Sequence, residues 1–363
     1  MATHFHALRI KDVNIETPDC VSIAFDIPDD LKNEFLFIQG QNITLKTVLN
    51  GQEVRRSYSI CSGPADNELR VAVKKVDKGL FSTFANHILK TGDTIEIMAP
   101  TGRFFTTLNP VHKKNYLAFA AGSGITPILS IIKTTLAIEP GSSFTLVYGN
   151  RNRASIIFRE QLEALKNRYT TRFVLHHVLS REKTDAAINY GRIDKDKCTQ
   201  LGQKLIDIKG MDEIFLCGPE EMIFSVKEGL EQQGIDASKI HFELFTTPGQ
   251  KKPVVVGSGA EAFDKTATGK ISKVTVKLDG IAFDFDLAYN GLAILDAALQ
   301  QGADLPYACK GGVCCTCRAK LTSGEVEMDN NYALEPEELK AGFVLTCQSH
   351  PRTERVMIDF DQK

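Results

Sequence analysis

The chain has 363 residues, a length that suits two or three domains. Hydrophobic residues make up 43% and charged residues 24%, an ordinary balance for a globular protein. A formal net charge of −2 gives no sign of a nucleic-acid or membrane binder. The opening MATHFHALRIKD lacks the apolar core of a signal peptide. No apolar run reaches the roughly 18 residues of a membrane helix. The expected location is therefore the cytoplasm.

The first region, 1–108, carries short strand-like runs: VSIAFDI, NITLKTV, RRSYSIC, LRVAVKKV and TIEIMAP. Turn residues separate them, which predicts an antiparallel β-barrel or sandwich with one helical patch at 80–89. In 109–246 the rhythm changes. YLAFAAGSG runs from a strand into a glycine turn, and ITPILSIIKTTL follows as a helix. SFTLVYGN, FVLHHVLS, EIFLCGP and HFELF are further strands, with IIFREQLEALKNR and MIFSVKEGLEQQG as helices. This alternation predicts an α/β domain with a parallel sheet. Residues 247–270 lack periodicity and read as a linker, with a buried strand at Val254–Val256 as the alternative. In 271–363, KVTVKL and IAFDFDL form a hairpin pattern around Asp-Gly. Leu292, Leu295, Ala298 and Leu299 mark one face of a helix ended by Gly302. The loop CKGGVCCTC and two late strands, FVLTCQ and RVMIDF, complete the chain.

Nine cysteines occur. Cys20, Cys61, Cys198 and Cys217 are scattered, as small buried apolar residues are. Cys309, Cys314 and Cys317 have the spacing C-x4-C-x2-C, which is the plant-type pattern for a 2Fe-2S cluster with a distant fourth ligand. Cys347 alone follows, so the metal-ligand set is Cys309, Cys314, Cys317 and Cys347, with Cys315 spare. A structural zinc site would prefer two C-x2–4-C knuckles, and only one C-x2-C is present. A disulfide loop is disfavoured in a reducing compartment. ADLPYACKGGVCCTCRAKLTSGEV and the late LTCQ resemble plant-type ferredoxin domains. That resemblance implies an α+β, β-grasp fold for 271–363.

Arg-Ser-Tyr-Ser at 56–59 is a weak pattern alone, compatible with an exposed Arg and a packed Tyr. In its context it resembles the flavin motif of the ferredoxin–NADP reductase superfamily. The resemblance implies FAD, with Arg56 on the pyrophosphate, Tyr58 against the isoalloxazine and Ser59 near its reactive N5; Ser57 is a further cofactor-binding candidate. Val73 and Lys74 match the next flavin-contacting strand. Gly79, Phe81 and Ser82 match the phosphate-side turn. GRFF at 102–105 matches a barrel-closing segment, and Gln39 in IQGQ departs from the proline common in relatives.

AAGSGITP follows a strand and opens a helix, a setting in which backbone can approach a pyrophosphate. A tight turn without a ligand is the bland alternative. Together with CGP at 217–219 it resembles the nicotinamide domain of the same superfamily. Gly122, Gly124, Thr126, Cys217, Gly218 and Pro219 are the residues that match, with Cys217 near the nicotinamide C4. Ser180 and Arg181, with Arg151, resemble a 2′-phosphate grip, which favours NADPH over NADH. Glu243 and Phe245 match the segment that approaches the flavin, although core packing is an alternative for Phe245. The resemblance makes Ser59, Cys217 and Glu243 the catalytic candidates.

The order flavin, nucleotide, ferredoxin is similar to reductase components of multicomponent oxygenases. RRSYSIC, AAGSGITPILSII, LVYGNR and LDAALQQGADLPYACKGGVC resemble the reductase subunits of bacterial phenylacetyl-CoA epoxidases. This implies electron transfer from NADPH through FAD and a 2Fe-2S cluster to a di-iron oxygenase partner in phenylacetate catabolism. No di-iron Glu/His helix motif is visible in this chain. A reductase for another aromatic, alkane or steroid-ring oxygenase is the alternative. A non-catalytic electron carrier is a third. Residues 271–363 hold 9 basic and 14 acidic side chains, which suits docking on a basic surface or an ordinary solvated face.

Overall fold

The computed structural model describes residues 4–245, 254–256 and 269–362. Contacts divide the chain into one unit spanning His6–Phe245 and a second formed by 246–363 with the first five residues.

The first unit begins with β1 (Phe5–Thr17), β2 (Cys20–Asp26), β3 (Asn42–Leu49), β4 (Gln52–Ser59), β5 (Leu69–Lys74), α1 (Leu80–His87) and β6 (Thr94–Thr101). The strands form a sheet in the order β4-β3-β6-β1-β2-β5. An antiparallel bridge between Ile60 and Val71 brings β5 back beside the end of β4 and closes the barrel. β5 is buried along nearly its whole length because it serves two cores. Val71 and Val73 face the barrel interior, whereas Ala72 packs with the adjoining α/β domain. β1 escapes a simple reading of the sequence. Bulges between Ile10 and Asp12 and between Ile15 and Thr17 break its two-residue period.

The α/β domain follows: β7 (Asn115–Ala121), α2 (Ile125–Ile138), β8 (Ser143–Asn150), α3 (Arg159–Arg168), β9 (Phe173–Leu179), α4 (Lys195–Lys204), β10 (Glu213–Cys217), α5 (Glu220–Gln232) and β11 (Ile240–Glu243). All five strands are parallel, in the order β11-β10-β7-β8-β9. α2 is apolar almost all round because the sheet covers one side and the barrel the other. Ser130 donates to the carbonyl of Ser62 at 2.6 Å, and Lys133 pairs with Asp66 at 2.9 Å. Phe104 meets Phe215 edge-on, with centroids 5.5 Å apart. These contacts give barrel and sheet a common core. α4 carries little periodic signal, since Cys198 and Leu201 are its only buried apolar residues. Asp194 caps it by accepting from Lys197 N at 2.8 Å.

The second unit holds β12 (Val254–Val256), β13 (Ile271–Leu278), β14 (Ile281–Ala288), α6 (Ile294–Gln300), β15 (Arg318–Ser323), β16 (Val326–Met328), α7 (Pro336–Lys340), β17 (Phe343–Leu345), β18 (Ser349–Pro351) and β19 (Arg355–Asp359). One mixed sheet runs β14-β13-β19-β15-β17, and a small one runs β12-β16-β18. β12 is the alternative strand foreseen within 247–270; the rest of that segment up to 268 lies outside the described residues. α6 packs Ile294, Leu295 and Ala298 onto the larger sheet. Leu292, expected on this face, precedes the helix and is 45% exposed. Ile294 and Ala297 complete the face instead. Among the described residues no helix is long and apolar enough to cross a membrane.

Candidate functional site

The parallel sheet has its switch point between β7 and β10, where strand order reverses. Ligands of such sheets bind at the carboxyl ends flanking that crevice. β7 ends at Ala121 and leads into a single 3-10 turn, Gly122–Gly124; β10 ends at Cys217. The two loops approach through their backbones. A Cβ on Gly124 would fall on the carbonyl of Cys217 and lie 2.7 Å from Gly218 N, so only glycine fits. Gly218 packs similarly: a Cβ there would meet Met222 Cε at 2.8 Å and Ala121 N at 3.1 Å. Thr126 is buried and donates to Ser123 O at 3.0 Å, bracing the turn. Tyr148 donates to Gly122 O at 3.0 Å. Pro219 precedes α5, so that helix opens its N–H groups beside the turn.

The three catalytic candidates converge here although they lie far apart in sequence. Cys217 and Glu243 are register partners on β10 and β11. Ser59, at the end of β4, donates to Glu243 Oε2 at 2.8 Å across 184 positions. Burial pushes the Glu243 carboxyl up to about 7, against the opposing hydrogen bond from Ser59. Burial, with the Glu243 charge nearby, holds the Cys217 thiol well above its ordinary range and therefore protonated. A carboxyl near neutrality, a hydroxyl and a neutral thiol can hold or move a proton beside a bound ring.

Around this point the flavin candidates form a shelf on the barrel. Tyr58 stands on β4 with its ring 5.5 Å from that of Phe81. Burial raises its phenol far above the usual value. Phe81 is itself 1% exposed, so it supports the tyrosine from within the core. Ser57 Oγ lies 3.2 Å from Thr44 Oγ1. The Arg56 side chain is exposed and donates to Arg55 O at 2.7 Å. Val73 is buried. Lys74 Nζ lies 3.7 Å from where a Cβ of Gly122 would stand, and 3.7 Å from Asp19 Oδ2. One ammonium thus overlooks both the flavin strand and the nucleotide turn, a juxtaposition that separate motifs do not reveal. Gly79 opens α1, and Ser82 Oγ receives Val76 N at 3.1 Å while donating to Gly79 O at 3.2 Å. Gln39, the departure in IQGQ, is buried and donates to Thr106 O at 3.1 Å, tying its loop to the segment after β6.

The candidates for the 2′-phosphate grip lie past β8 and β9. Ser180 N donates to Asn150 O at 2.9 Å, and Arg181 N to Arg151 O at 2.8 Å. Arg151, Ser180 and Arg181 therefore sit side by side, with both guanidinium groups exposed. Glu182 engages a different residue, Arg153, at 3.2 Å. Phe245 is 40% exposed, so core packing does not account for it.

In the second unit the cysteine loop separates its thiols into two groups. Cys309 shares hydrogen bonds with Cys314 and Cys347, and Cys347 also with Cys317. Sharing with Cys309 pushes the Cys314 and Cys347 thiols up, whereas Cys309 is pushed down. Gly311 N donates to Cys309 Sγ at 3.3 Å. Cys315, at φ +54°, turns away and donates to Ala333 O at 3.1 Å. Thr346 binds Cys317 O through its N–H at 3.2 Å and its hydroxyl at 3.0 Å, which draws the distant Cys347 to the loop. Four adjacent thiols cannot all ionise without compensating positive charge. This donor set fits two irons. Among the described residues no three His, Cys, Asp or Glu side chains surround one metal position. A two-iron cluster needs only two cysteines per iron.

Known proteins match along the whole chain. The oxidoreductase FAD-binding domain model matches residues 7–106, the oxidoreductase NAD-binding domain model residues 119–228, and the 2Fe-2S iron–sulfur cluster binding domain model residues 276–352. Together with the fold, they define an NAD(P)H-dependent oxidoreductase with FAD-binding, NAD-binding and 2Fe-2S modules. A subunit of the 1,2-phenylacetyl-CoA epoxidase of Escherichia coli (strain K12) is 45% identical over 363 residues, covering 99% of both chains. The ferredoxin reductase component of 3-ketosteroid-9-alpha-monooxygenase from Rhodococcus rhodochrous is 33% identical, covering 97% of this chain and 96% of its own. The solved structure of phthalate dioxygenase reductase superposes with TM-score 0.58 at 22% identity over 98% of both chains. The chain belongs to the family of flavin and iron–sulfur reductase components that work with oxygenases.

Proposed function

We propose that this chain passes electrons from NADPH, through FAD and a 2Fe-2S cluster, to a separate di-iron oxygenase, phenylacetyl-CoA epoxidase, in phenylacetate catabolism. The full-length 45% identity to a component of that epoxidase carries this reading. Bound in their modules, FAD would supply hydride-accepting chemistry beside the nicotinamide and a 2Fe-2S cluster would supply one-electron chemistry.

In this reading Arg56 and the α1 turn at Gly79 and Ser82 hold the flavin phosphates, and Tyr58 packs against its ring. Gly122, Gly124 and the Cys217-Gly218-Pro219 turn seat the nicotinamide nucleotide. Ser59, Cys217 and Glu243 surround the reacting rings. The juxtaposed Arg151, Ser180 and Arg181 support NADPH over NADH, since paired guanidinium groups suit a 2′-phosphate. Cys309, Cys314, Cys317 and Cys347 hold the cluster. Free thiols and a thiolate-held cluster suit the reducing cytoplasm.

The test is reconstitution of the purified reductase with candidate oxygenase components at fixed stoichiometry, following NADPH consumption and product. Turnover with phenylacetyl-CoA epoxidase is expected. Turnover only with another oxygenase would reject the substrate assignment. A 33% identical relative works in a ketosteroid monooxygenase, which makes that enzyme the first alternative to include.

A further inference from the structure

Gln348 directly follows the fourth cysteine and is 6% exposed. Its Nε2 lies 3.6 Å from Cys347 Sγ, 2.8 Å from Cys347 O and 3.0 Å from Lys310 O. The same amide therefore touches both halves of the cysteine set, the 309–317 loop and the distant Cys347. Asn330, 8% exposed, fixes its orientation by donating from Nδ2 to Gln348 Oε1 at 3.1 Å. With the carbonyl end so engaged, the amino end must face the sulfur. Asn330 cannot drift away, because its segment is pressed onto the loop. A Cβ on Gly312 (φ +76°) would meet Asn330 O at 2.9 Å, and Tyr332 N donates to Gly312 O at 3.1 Å.

Two N–H hydrogens serve three acceptors, so the sulfur's share depends on its charge. Adding one electron to the cluster makes its sulfurs more negative and strengthens that share. No proton is transferred; the hydrogens stay on nitrogen. A donor that binds the reduced state better than the oxidised state raises the reduction potential. We propose that Gln348 is a positioning residue that raises the potential of the cluster through Cys347 Sγ, with Asn330 setting the polarity of its amide. The proposal rests on Cys347 being a cluster ligand.

Redox titration of the cluster-loaded protein, monitored by electron paramagnetic resonance, tests it. Gln348→Leu and Gln348→Glu should keep the visible cluster spectrum, and the midpoint should fall by roughly tenfold in equilibrium constant, 59 mV for one electron. Unchanged midpoints with an intact spectrum overturn the proposal and leave the ligand set standing. Cys347→Ser that keeps the unaltered spectrum overturns both. Should neither Gln348 variant hold a cluster, the unaltered protein decides. With 15N in glutamine side chains, pulsed resonance of its reduced cluster should show a 15N coupling, and its absence overturns the proposal.

Discussion

At Glu243 a carboxyl group is held near neutrality by burial, and its pH dependence can be worked out. Its folded value of about 7 exceeds its ordinary 4.5, so the folded state binds the extra proton between those limits. The neutral group's contribution to stability is complete below about 4.5 and lost as pH rises through 7. Glu243→Gln should therefore leave the melting temperature near wild type at pH 5 and raise it at pH 8. An equal shift at both pH values would remove this account. Arg181→Ala should raise KM for NADPH roughly tenfold to a hundredfold, the scale of a hydrogen bond to a charged group. KM for NADH should hardly move; equal effects on both would remove the 2′-phosphate role. Cys315→Ser should keep the visible cluster spectrum, because that thiol is engaged with Ala333 O.

At the scale of elements, the critical contact is the approach of the β7–α2 turn to the end of β10. Gly124 leaves no room for a side chain, and the obstructing atoms are backbone, which cannot rotate aside. Gly124→Ala should destabilise the protein by about 3 kcal/mol, the upper end for overpacking a tight site. Chemical denaturation measures this, and NADPH affinity should fall with it. Retention of both would show that the two loops separate readily. α2 is the second decisive element, since its polar contacts to Ser62 and Asp66 join the α/β domain to the barrel that carries Ser59.

For the whole molecule, separate modules imply separable activities. Cys347→Ser should abolish the cluster spectrum and electron delivery to an oxygenase. It should retain NADPH oxidation with an artificial acceptor, because the candidate flavin and nucleotide residues all lie in the other unit. Loss of both activities together would contradict this division.

Local patterns alone determined a good deal of this protein. The barrel and parallel-sheet rhythms follow from hydrophobic period, and the cysteine spacing proposes a ligand set without Cys315 because the pattern counts positions along one loop. β1 and α4 were hidden because bulges and a largely polar helix erase the period on which such reading depends. The partnership of Ser59 with Glu243, the ammonium of Lys74 over Gly122, and the orientation of Gln348 toward Cys347 were decided by tertiary structure. Each joins residues from different elements, at distances set by strand order, closed barrel and packed loops. Sequence carries the identities of those residues; only folding supplies their separations, and the chemistry of charge and hydrogen bonding depends on separation.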